Sequence, residues 1–415
     1  MPLTVDRGSW TVDISVLLIA LICILTTTTF AQQKTWGERM AATIMTNYPD
    51  SIVVRKYVTH GEERVEEKKP SRPASWDYEQ GVVLHAFDVL GQQVKSPVYL
   101  NYARKIMDHF VKADGSIRTY DLVEYNIDDI TPGRVVLALY NKTREEKYRK
   151  AAGLLREQLA WQPRNREGGF WHKHRYPYQM WLDGLYMAGP FYAEYTMQFG
   201  KPGDFDDIAN QFIWVEQHTR DAKTGLLYHG WDESKKQQWA NPTTGQSPEF
   251  WGRGIGWYAM ALVDVLDYFP KNHPKRGAII AILQRLAAAI QPYQDASGVW
   301  HQVVNKPNEK GNYAEASASC MLTYAVAKGV RLGYLDKRFD AMSVKGFEGI
   351  LKNFIETDEQ GLVHLTKTCS GAGLGGNPYR DGTYDYYIKE PLRVDDLKGV
   401  GPFIQASVEI EMLRK

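Results

Sequence analysis

One pattern recurs six times along this 415-residue chain and restricts its fold more than any other feature. Each copy opens with small residues beside an aromatic or acidic side chain and continues as an apolar run of helical character. The openings and their runs are residues 76–81 into 82–90, 128–133 into 134–140, 181–184 into 185–195, 251–256 into 257–266, 313–316 into 317–330, and 398–402 into 403–412. Because the runs are apolar nearly all round, we expect helices that are buried on both sides.

Amphipathic segments alternate with these runs. They carry apolar residues at i, i+3 and i+4 spacing and a charged outer face, and they cover residues 35–47, 98–111, 145–159, 205–218, 275–293 and 338–355. Six outer and six inner helices in alternation predict an all-α (α/α)6 barrel, with residues 32–415 as one domain. Short strand pairs are expected only around 225–228 and 362–365.

The N-terminus has the pattern of a secretory signal peptide. Arg7 precedes an apolar run, residues 16–25, and the small residues Thr29 and Ala31 lie at the usual cleavage positions. We predict that residues 1–31 are removed by cleavage near Ala31; the alternative is an uncleaved anchor. Since the run is short for a transmembrane span, the mature protein is expected to be secreted or periplasmic, without stable membrane insertion.

Charge and cysteine content exclude several classes of function. The net charge is +1 and no basic stripe occurs, which argues against nucleic-acid binding. Cys320 and Cys369, the cysteines of the mature chain, belong to no Cys/His cluster, so zinc is not predicted, although one disulfide between them is compatible with an oxidising compartment. The glycine-rich stretch 371–376 follows no predicted strand, which favours a flexible loop over a nucleotide site.

Aromatic content points to a sugar site. The chain has 12 Trp and 25 Tyr residues, whose rings stack on sugar faces or fill a large core. Because all inner helices begin at one end of the ring, side chains near the openings should converge on one pocket. The residues expected there are Trp76, Asp128, Asp129, Trp181, Asp183, Trp251, Arg253, Trp257 and Glu315.

Asp183 is the candidate proton donor. It stands in an apolar stretch beside Trp181 and Leu182, and desolvation favours the protonated form of a carboxyl group in such surroundings. The alternative is a helix N-cap. Asp128 and Asp129 open the second inner helix, where we expect Asp129 to cap the helix and Asp128 to face the cavity.

Arg253 is the candidate for binding a carboxylate. The flanking Gly252 and Gly254 are expected to clear space for a ligand, and a guanidinium group pairs with a carboxylate through two hydrogen bonds. The alternative is a structural ion pair. His172, His174 and His229 are each more typical of structural histidines, and no pair has metal-ligand spacing.

Four motifs in order resemble those of the unsaturated uronyl hydrolases. They are Ile127-Asp128-Asp129-Ile130 with Pro132-Gly133, Met180-Trp181-Leu182-Asp183, Trp251-Gly252-Arg253-Gly254-Ile255-Gly256-Trp257, and Pro378-Tyr379-Arg380-Asp381-Gly382. From about Trp36 to the C-terminus, the chain is similar to the unsaturated rhamnogalacturonyl hydrolases of glycoside hydrolase family 105, which are related to family 88.

The resemblance implies a reaction as well as a fold. These (α/α)6 enzymes act on oligosaccharides left by polysaccharide lyases, which carry a 4,5-unsaturated uronic acid at the non-reducing end. They protonate C4 of the enol ether, water adds at C5, and the hemiketal collapses to release the leaving sugar. Neither a metal nor an organic cofactor is implied.

The resemblance also implies roles for individual residues. Asp183 matches the general acid/base, and the second carboxylate matches either Asp128 or Asp129. Positions that contact substrate are Lys173, Trp181, His229, Trp251, Arg253 and Trp257, and we predict that Tyr78 contacts it too. Two alternatives stay open: a polysaccharide lyase or other enzyme on the same ring fold, and a non-catalytic carbohydrate-binding protein. Pectic and ulvan-derived leaving sugars both fit, and the sequence indicates no oligomeric state.

Overall fold

The computed structural model describes residues 1–4, 34–53, 57–60, 63–66 and 74–414. Arg7, the apolar run 16–25 and the predicted cleavage position Ala31 therefore lie outside the described residues. By its contacts the chain divides into two compact units, Met1–Thr35 and Trp36–Lys415. All the helices and strands given below belong to the second unit.

Thirteen helices are found among the described residues. In chain order they are α1 (Trp36–Asn47), α2 (Tyr78–Gln93), α3 (Val98–Met107), α4 (Gly133–Thr143), α5 (Glu146–Trp161), α6 (Leu182–Phe199), α7 (Asp204–Thr219), α8 (Gly252–Val265), α9 (Arg276–Ile290), α10 (Ala316–Arg331), α11 (Asp340–Phe354), α12 (Tyr384–Lys389) and α13 (Leu397–Leu413). Each of the twelve predicted helices corresponds to one of them, and the short α12 is additional.

The inner helices close a ring. Helices α2, α4, α6, α8, α10 and α13 each pack against the next, and α13 packs against both α10 and α2. Every residue of α8 is buried, whereas α5 buries only one face, around Tyr148, Ala151 and Leu155. Burial all round is what an inner helix requires. The prediction of an all-α (α/α)6 barrel is confirmed.

Close approach of the inner helices depends on small residues. A Cβ atom on Gly81 of α2 would lie 2.6 Å from the backbone nitrogen of Pro132, just before α4. A Cβ atom on Gly252 at the start of α8 would lie 2.7 Å from the carbonyl oxygen of His301. Side chains at these positions would force the backbones apart.

The strands form four two-stranded antiparallel sheets. They pair β1 (Tyr57–His60) with β2 (Glu63–Glu66), β3 (Gln179–Trp181) with β4 (Gly230–Asp232), β5 (Ile355–Thr357) with β6 (Val363–Leu365), and β7 (Thr368–Cys369) with β8 (Leu392–Arg393). The pair expected around 362–365 is present as β5–β6, whereas 225–228 contributes only an isolated bridge between Arg220 and Leu227. In the β3–β4 sheet, Trp181 lies opposite Gly230, so the start of α6 is held beside the segment that contains His229.

Cys320 and Cys369 are buried free thiols. Among the described residues, no helix has both the length and the apolarity needed to cross a membrane.

Candidate active site

A cavity of about 190 Å³ lies at the end of the ring where the inner helices begin. Tyr78 is the first residue of α2, and Asp183, Arg253 and Lys398 are the second residues of α6, α8 and α13. The lining residues are Tyr78, Asp128, His172, Lys173, Arg175, Tyr176, Trp181, Asp183, Met187, Trp251, Arg253, Trp257, Gly371, Ala372, Arg380 and Lys398. The inner helices begin at the same end of the ring, and side chains that are distant in sequence therefore meet in one cavity.

Asp183 lies in the first turn of α6 and faces the cavity. The residue that precedes the helix is Trp181, so the alternative that Asp183 is the N-cap is wrong. The Oδ2 atom of Asp183 lies 3.1 Å from Nε2 of His229, and Nδ1 of His229 lies 2.7 Å from the hydroxyl of Tyr387. A buried Tyr387–His229–Asp183 chain therefore fixes the orientation of this carboxyl group.

Asp128 is the second carboxylate of the cavity. Its Oδ2 accepts a hydrogen bond from the ammonium group of Lys173, and its Oδ1 lies 3.4 Å from Nε2 of His172. Burial raises the pKa of Asp128, but the charge and hydrogen bond of Lys173, together with His172 and Arg175, outweigh burial and hold that pKa below its usual range. Burial lowers the pKa of His172 to about 4. Asp128 is therefore ionised, and His172 neutral, at neutral pH.

Stacked rings build the walls. The Trp181 ring stacks against His172 at 4.4 Å and Tyr176 at 4.9 Å between ring centroids. Trp257 stacks on Tyr186 at 4.7 Å. These contacts hold flat aromatic surfaces in place, as the binding of sugar faces requires.

Arg253 is 1% exposed, and its guanidinium group lies 4.8 Å from the centre of the Trp251 ring. Its Nη1 donates to the carbonyl oxygen of Cys369 and to Oγ of Ser317, 3.3 Å away. Among the described residues, no carboxylate oxygen lies within 4.0 Å of it, so the structural ion pair is wrong. A buried guanidinium without a carboxylate partner is suited to an anionic ligand.

The model of Glycosyl Hydrolase Family 88 matches residues 38–414. The chain belongs to this family. A glycoside hydrolase of family 105 from C. acetobutylicum ATCC 824 is 44% identical; the match covers 91% of this chain and 100% of that one, with a TM-score of 0.84. The chain is thus a family 105 member within the family 88 group, and it is a glycoside hydrolase. A purely sugar-binding protein is thereby excluded.

Two curated relatives extend the comparison. The 24.9 kDa protein in the picA locus of Rhizobium radiobacter is 42% identical over 235 residues, which is 55% of this chain and 100% of that protein. The unsaturated rhamnogalacturonyl hydrolase YesR of Bacillus subtilis (strain 168) is 27% identical over 264 residues, 62% of this chain and 72% of YesR.

Four expected cavity residues of this family 105 hydrolase lie elsewhere. His229 is 0% exposed, behind Asp183, because the rings of Trp181, Trp251 and Tyr387 surround it; direct contact between His229 and substrate stays a prediction. Glu315 is fully buried and caps α10 by accepting from the Ala318 amide.

Trp76 and Asp129 also do not line the cavity. The Trp76 indole donates to the carbonyl oxygen of Asp129, 2.8 Å away. Asp129 does not cap a helix: Asn126 caps the 3-10 turn Ile127–Ile130 by accepting from the Asp128 amide, and Pro132 precedes α4 without a side-chain cap. The cap prediction for Asp129 is wrong because the local turn begins at Ile127, three residues earlier than expected.

The two glycines beside Arg253 have different surroundings. Gly252 admits the carbonyl of His301, so the expectation that it clears space for a substrate is wrong. A Cβ atom on Gly254 would lie 3.2 Å from the Trp251 ring and 3.8 Å from Oδ2 of Asp183, so this glycine keeps the space beside that carboxyl group open.

Eight further lining residues of the hydrolase were missed as site residues: His172, Arg175, Tyr176, Met187, Gly371, Ala372, Arg380 and Lys398. Lys398 is the first residue of the sixth repeat, and Arg380 lies in the motif Pro378-Tyr379-Arg380-Asp381-Gly382. The sequence therefore contained a pattern from which both could have been predicted. His172, Arg175 and Tyr176 flank Lys173 in a loop without periodicity, and only the fold places them. Within the described part of the chain, no three His, Cys, Asp or Glu side chains are grouped to hold a metal ion.

Proposed function

We propose that this hydrolase removes a 4,5-unsaturated uronic acid from the non-reducing end of oligosaccharides, with a rhamnogalacturonyl substrate as the first candidate. The observation that carries the proposal is one aromatic cavity that contains Asp183, an ionised Asp128 and an arginine without a carboxylate partner. The named activity of the relative YesR supports the choice of substrate.

Asp183 is the residue that would deliver the proton. Protonation of C4 leaves positive charge at C5 and the ring oxygen, and water then attacks C5 and loses a proton. The resulting hemiketal opens at the bond between C5 and the ring oxygen, and the hemiacetal left at C1 releases the leaving sugar as a free hydroxyl, which yields a keto uronate. Atoms balance with one water consumed. An acid that protonates carbon must be positioned by its surroundings, and His229 provides this for Asp183 through the 3.1 Å contact.

Asp128 would complement this acid electrostatically. Because Lys173 keeps it ionised, Asp128 stays negative while charge develops on the sugar ring. Arg253 would hold the uronate carboxylate, since its guanidinium lines the cavity and has no ion-pair partner among the described residues.

The test is the ultraviolet absorbance of the conjugated unsaturated acid. Incubation of the purified enzyme with an unsaturated galacturonyl-rhamnose disaccharide should abolish this absorbance, because hydration removes the double bond. Asp183→Asn should lower kcat by about 10²–10⁴-fold, since the amide cannot deliver a proton. Asp88→Asn is the matched control, because Asp88 is a buried carboxyl on inner helix α2 that lies outside the cavity.

Other outcomes would assign a different function. A rise in absorbance on intact polysaccharide would indicate a lyase. Unchanged absorbance with all unsaturated disaccharides would refute the proposal. If Asp183→Asn kept more than about a tenth of the wild-type kcat, Asp183 would not be the acid.

We also propose that the enzyme is exported. The support is the N-terminal pattern of Arg7, the apolar run 16–25 and the small residues Thr29 and Ala31. N-terminal sequencing of the protein recovered from outside the cytoplasm should begin near residue 32. Recovery of the uncleaved chain from the cytoplasm alone would contradict it.

A further inference from the structure

The glycine-rich stretch 371–376 forms a cradle for Arg380. The backbones of Gly375 and Arg380 exchange hydrogen bonds of 2.8 and 3.2 Å, which close the loop. A Cβ atom on Gly373 would lie 2.3 Å from Nη1 of Arg380, and one on Gly376 would lie 3.0 Å from Nη2. The stretch predicted to be a flexible loop therefore packs closely against the guanidinium group, which side chains at these glycines would displace.

The hydrogen bonds of Arg380 leave one edge of its guanidinium uncommitted. The Nε atom donates to the Gly375 carbonyl at 2.7 Å, and Nη2 donates to the Tyr176 hydroxyl at 2.7 Å and the Leu374 carbonyl at 3.2 Å. An arginine carries five N–H groups. The two on Nη1 therefore have no partner among the described residues, although Arg380 lines the cavity.

Cations of the cavity differ in whether carboxylates neutralise them. Lys173 pairs with Asp128, and Lys398 pairs with Glu79 at 2.7 Å and with Asp396. Arg253, Arg175 and Arg380 have no carboxylate oxygen within 4.0 Å in the described part of the chain. The carboxylate of the reacting uronate would pair with only one of these three arginines.

The three arginines differ in how deeply their side chains are buried. Arg253 is 1% exposed and stacks on Trp251, whose ring contacts His229, the partner of Asp183. Arg380 is half-buried and Arg175 exposed, and both guanidinium groups lie over the Tyr176 ring, at 5.8 and 5.2 Å. The terminal sugar enters the closed part of the cavity, so its leaving group extends toward the more exposed arginines.

We propose that Arg380, with Arg175 beside it, forms an anion-binding subsite for the leaving group, so that the preferred substrates carry a second carboxylate or a sulfate ester beyond the scissile bond. The inference rests on the proposed function. It adds that the enzyme acts preferentially on acidic oligosaccharides, and that the glycine cradle exists to present Arg380.

The experiment compares kcat/KM for three unsaturated uronyl substrates: a disaccharide with a neutral leaving sugar, the same disaccharide with a sulfated leaving sugar, and a tetrasaccharide with a second uronate. Wild type should prefer at least one anionic substrate. Arg380→Gln should lower that preference by about 10- to 100-fold, because a charge-assisted hydrogen bond is lost. Gly373→Ala should have the same effect, since the added methyl displaces the guanidinium.

Arg144→Gln is the matched control. Arg144 is an exposed arginine that lies 5.5 Å over the ring of Tyr140, after α4 and away from the cavity, and its variant should keep the wild-type preference. Equal kcat/KM of wild type for neutral and anionic substrates would overturn the subsite while the proposed function stands, as would a loss in Arg380→Gln that is equal for all three. If wild type turned over none of them, the proposed function itself would fail. Which anionic substrate is preferred distinguishes carboxylate from sulfate.

Discussion

At the scale of single residues, the pKa values of two adjacent aspartates are shifted in opposite directions. Lys173 keeps Asp128 ionised. Asp129 points the other way: burial and the nearby charge of Asp128 raise its pKa to about 7. Adjacent positions on a tight turn point in different directions, so the Asp128 carboxyl joins the cavity and the Asp129 carboxyl does not line it.

The stability contributed by Asp129 should therefore depend on pH. Its pKa is higher in the folded than in the unfolded state, where it is 3.8, so the folded state binds more protons and stability falls as pH rises from about 4 to about 7. Asp129→Asn removes this penalty. The gain in unfolding free energy over wild type should grow by on the order of 2–4 kcal/mol between pH 4 and pH 8.

Thermal melts of both proteins across that range measure the effect. Activity should be largely retained, because Asp129 does not line the cavity. A constant difference in Tm at all pH values would show that Asp129 is ionised normally in the folded protein.

At the scale of elements, the ring depends on backbone contact between neighbouring inner helices. Gly81 of α2 meets the backbone of Thr131 and Pro132, at 2.9 and 2.6 Å from an added Cβ atom. Backbone atoms cannot rotate away as a flexible side chain does. The opening glycine of this repeat is therefore required by packing, while the adjacent aromatic and acidic residues are free to serve the cavity.

Gly81→Ala should consequently destabilise the fold by about 1–3 kcal/mol, despite the better helix propensity of alanine. Gly153→Ala is the matched control, because Gly153 lies within outer helix α5 and an added Cβ would meet only the Tyr195 hydroxyl, at 3.9 Å. That variant should gain up to about 1 kcal/mol. Urea unfolding of both variants measures the change in the free energy of unfolding. Stabilisation by both substitutions would mean that α2 and α4 can move apart without loss of stability.

At the scale of the whole molecule, a buried ionic cluster connects helices across the ring. Asp264 of α8 is 0% exposed and accepts from Arg134 of α4 at 2.7 Å, from Lys328 of α10 at 2.8 Å and from the Tyr324 hydroxyl at 2.6 Å. Burial raises the pKa of Asp264, but Lys328 and Arg134 outweigh it and depress that pKa well below its usual range. Its contribution to stability is therefore present above about pH 4 and is lost as pH falls further.

Asp264→Asn should lower the free energy of unfolding by about 3–5 kcal/mol at neutral pH, because it leaves the buried Arg134 without its carboxylate and Lys328 with Asp267 alone. Glu146→Gln serves as a control at the surface, where solvent screens the pair with Arg149, and it should leave the Tm nearly unchanged. Calorimetry should show one cooperative transition at a lower Tm for Asp264→Asn. An unchanged Tm would mean that the cluster does not hold the ring together.

The sequence by itself determined the ring and most of the residues at its centre. Apolar runs that alternate with amphipathic ones admit few packings, and parallel inner helices bring their openings to one end, so Asp183, Asp128, Trp251 and Arg253 were found from pattern and resemblance. Tertiary structure alone decided which side chains face inward. Periodicity does not describe turns and loops, and so the enclosure of His229, the absence of Asp129 from the cavity lining and the glycine cradle of Arg380 follow from long-range packing that no local pattern encodes.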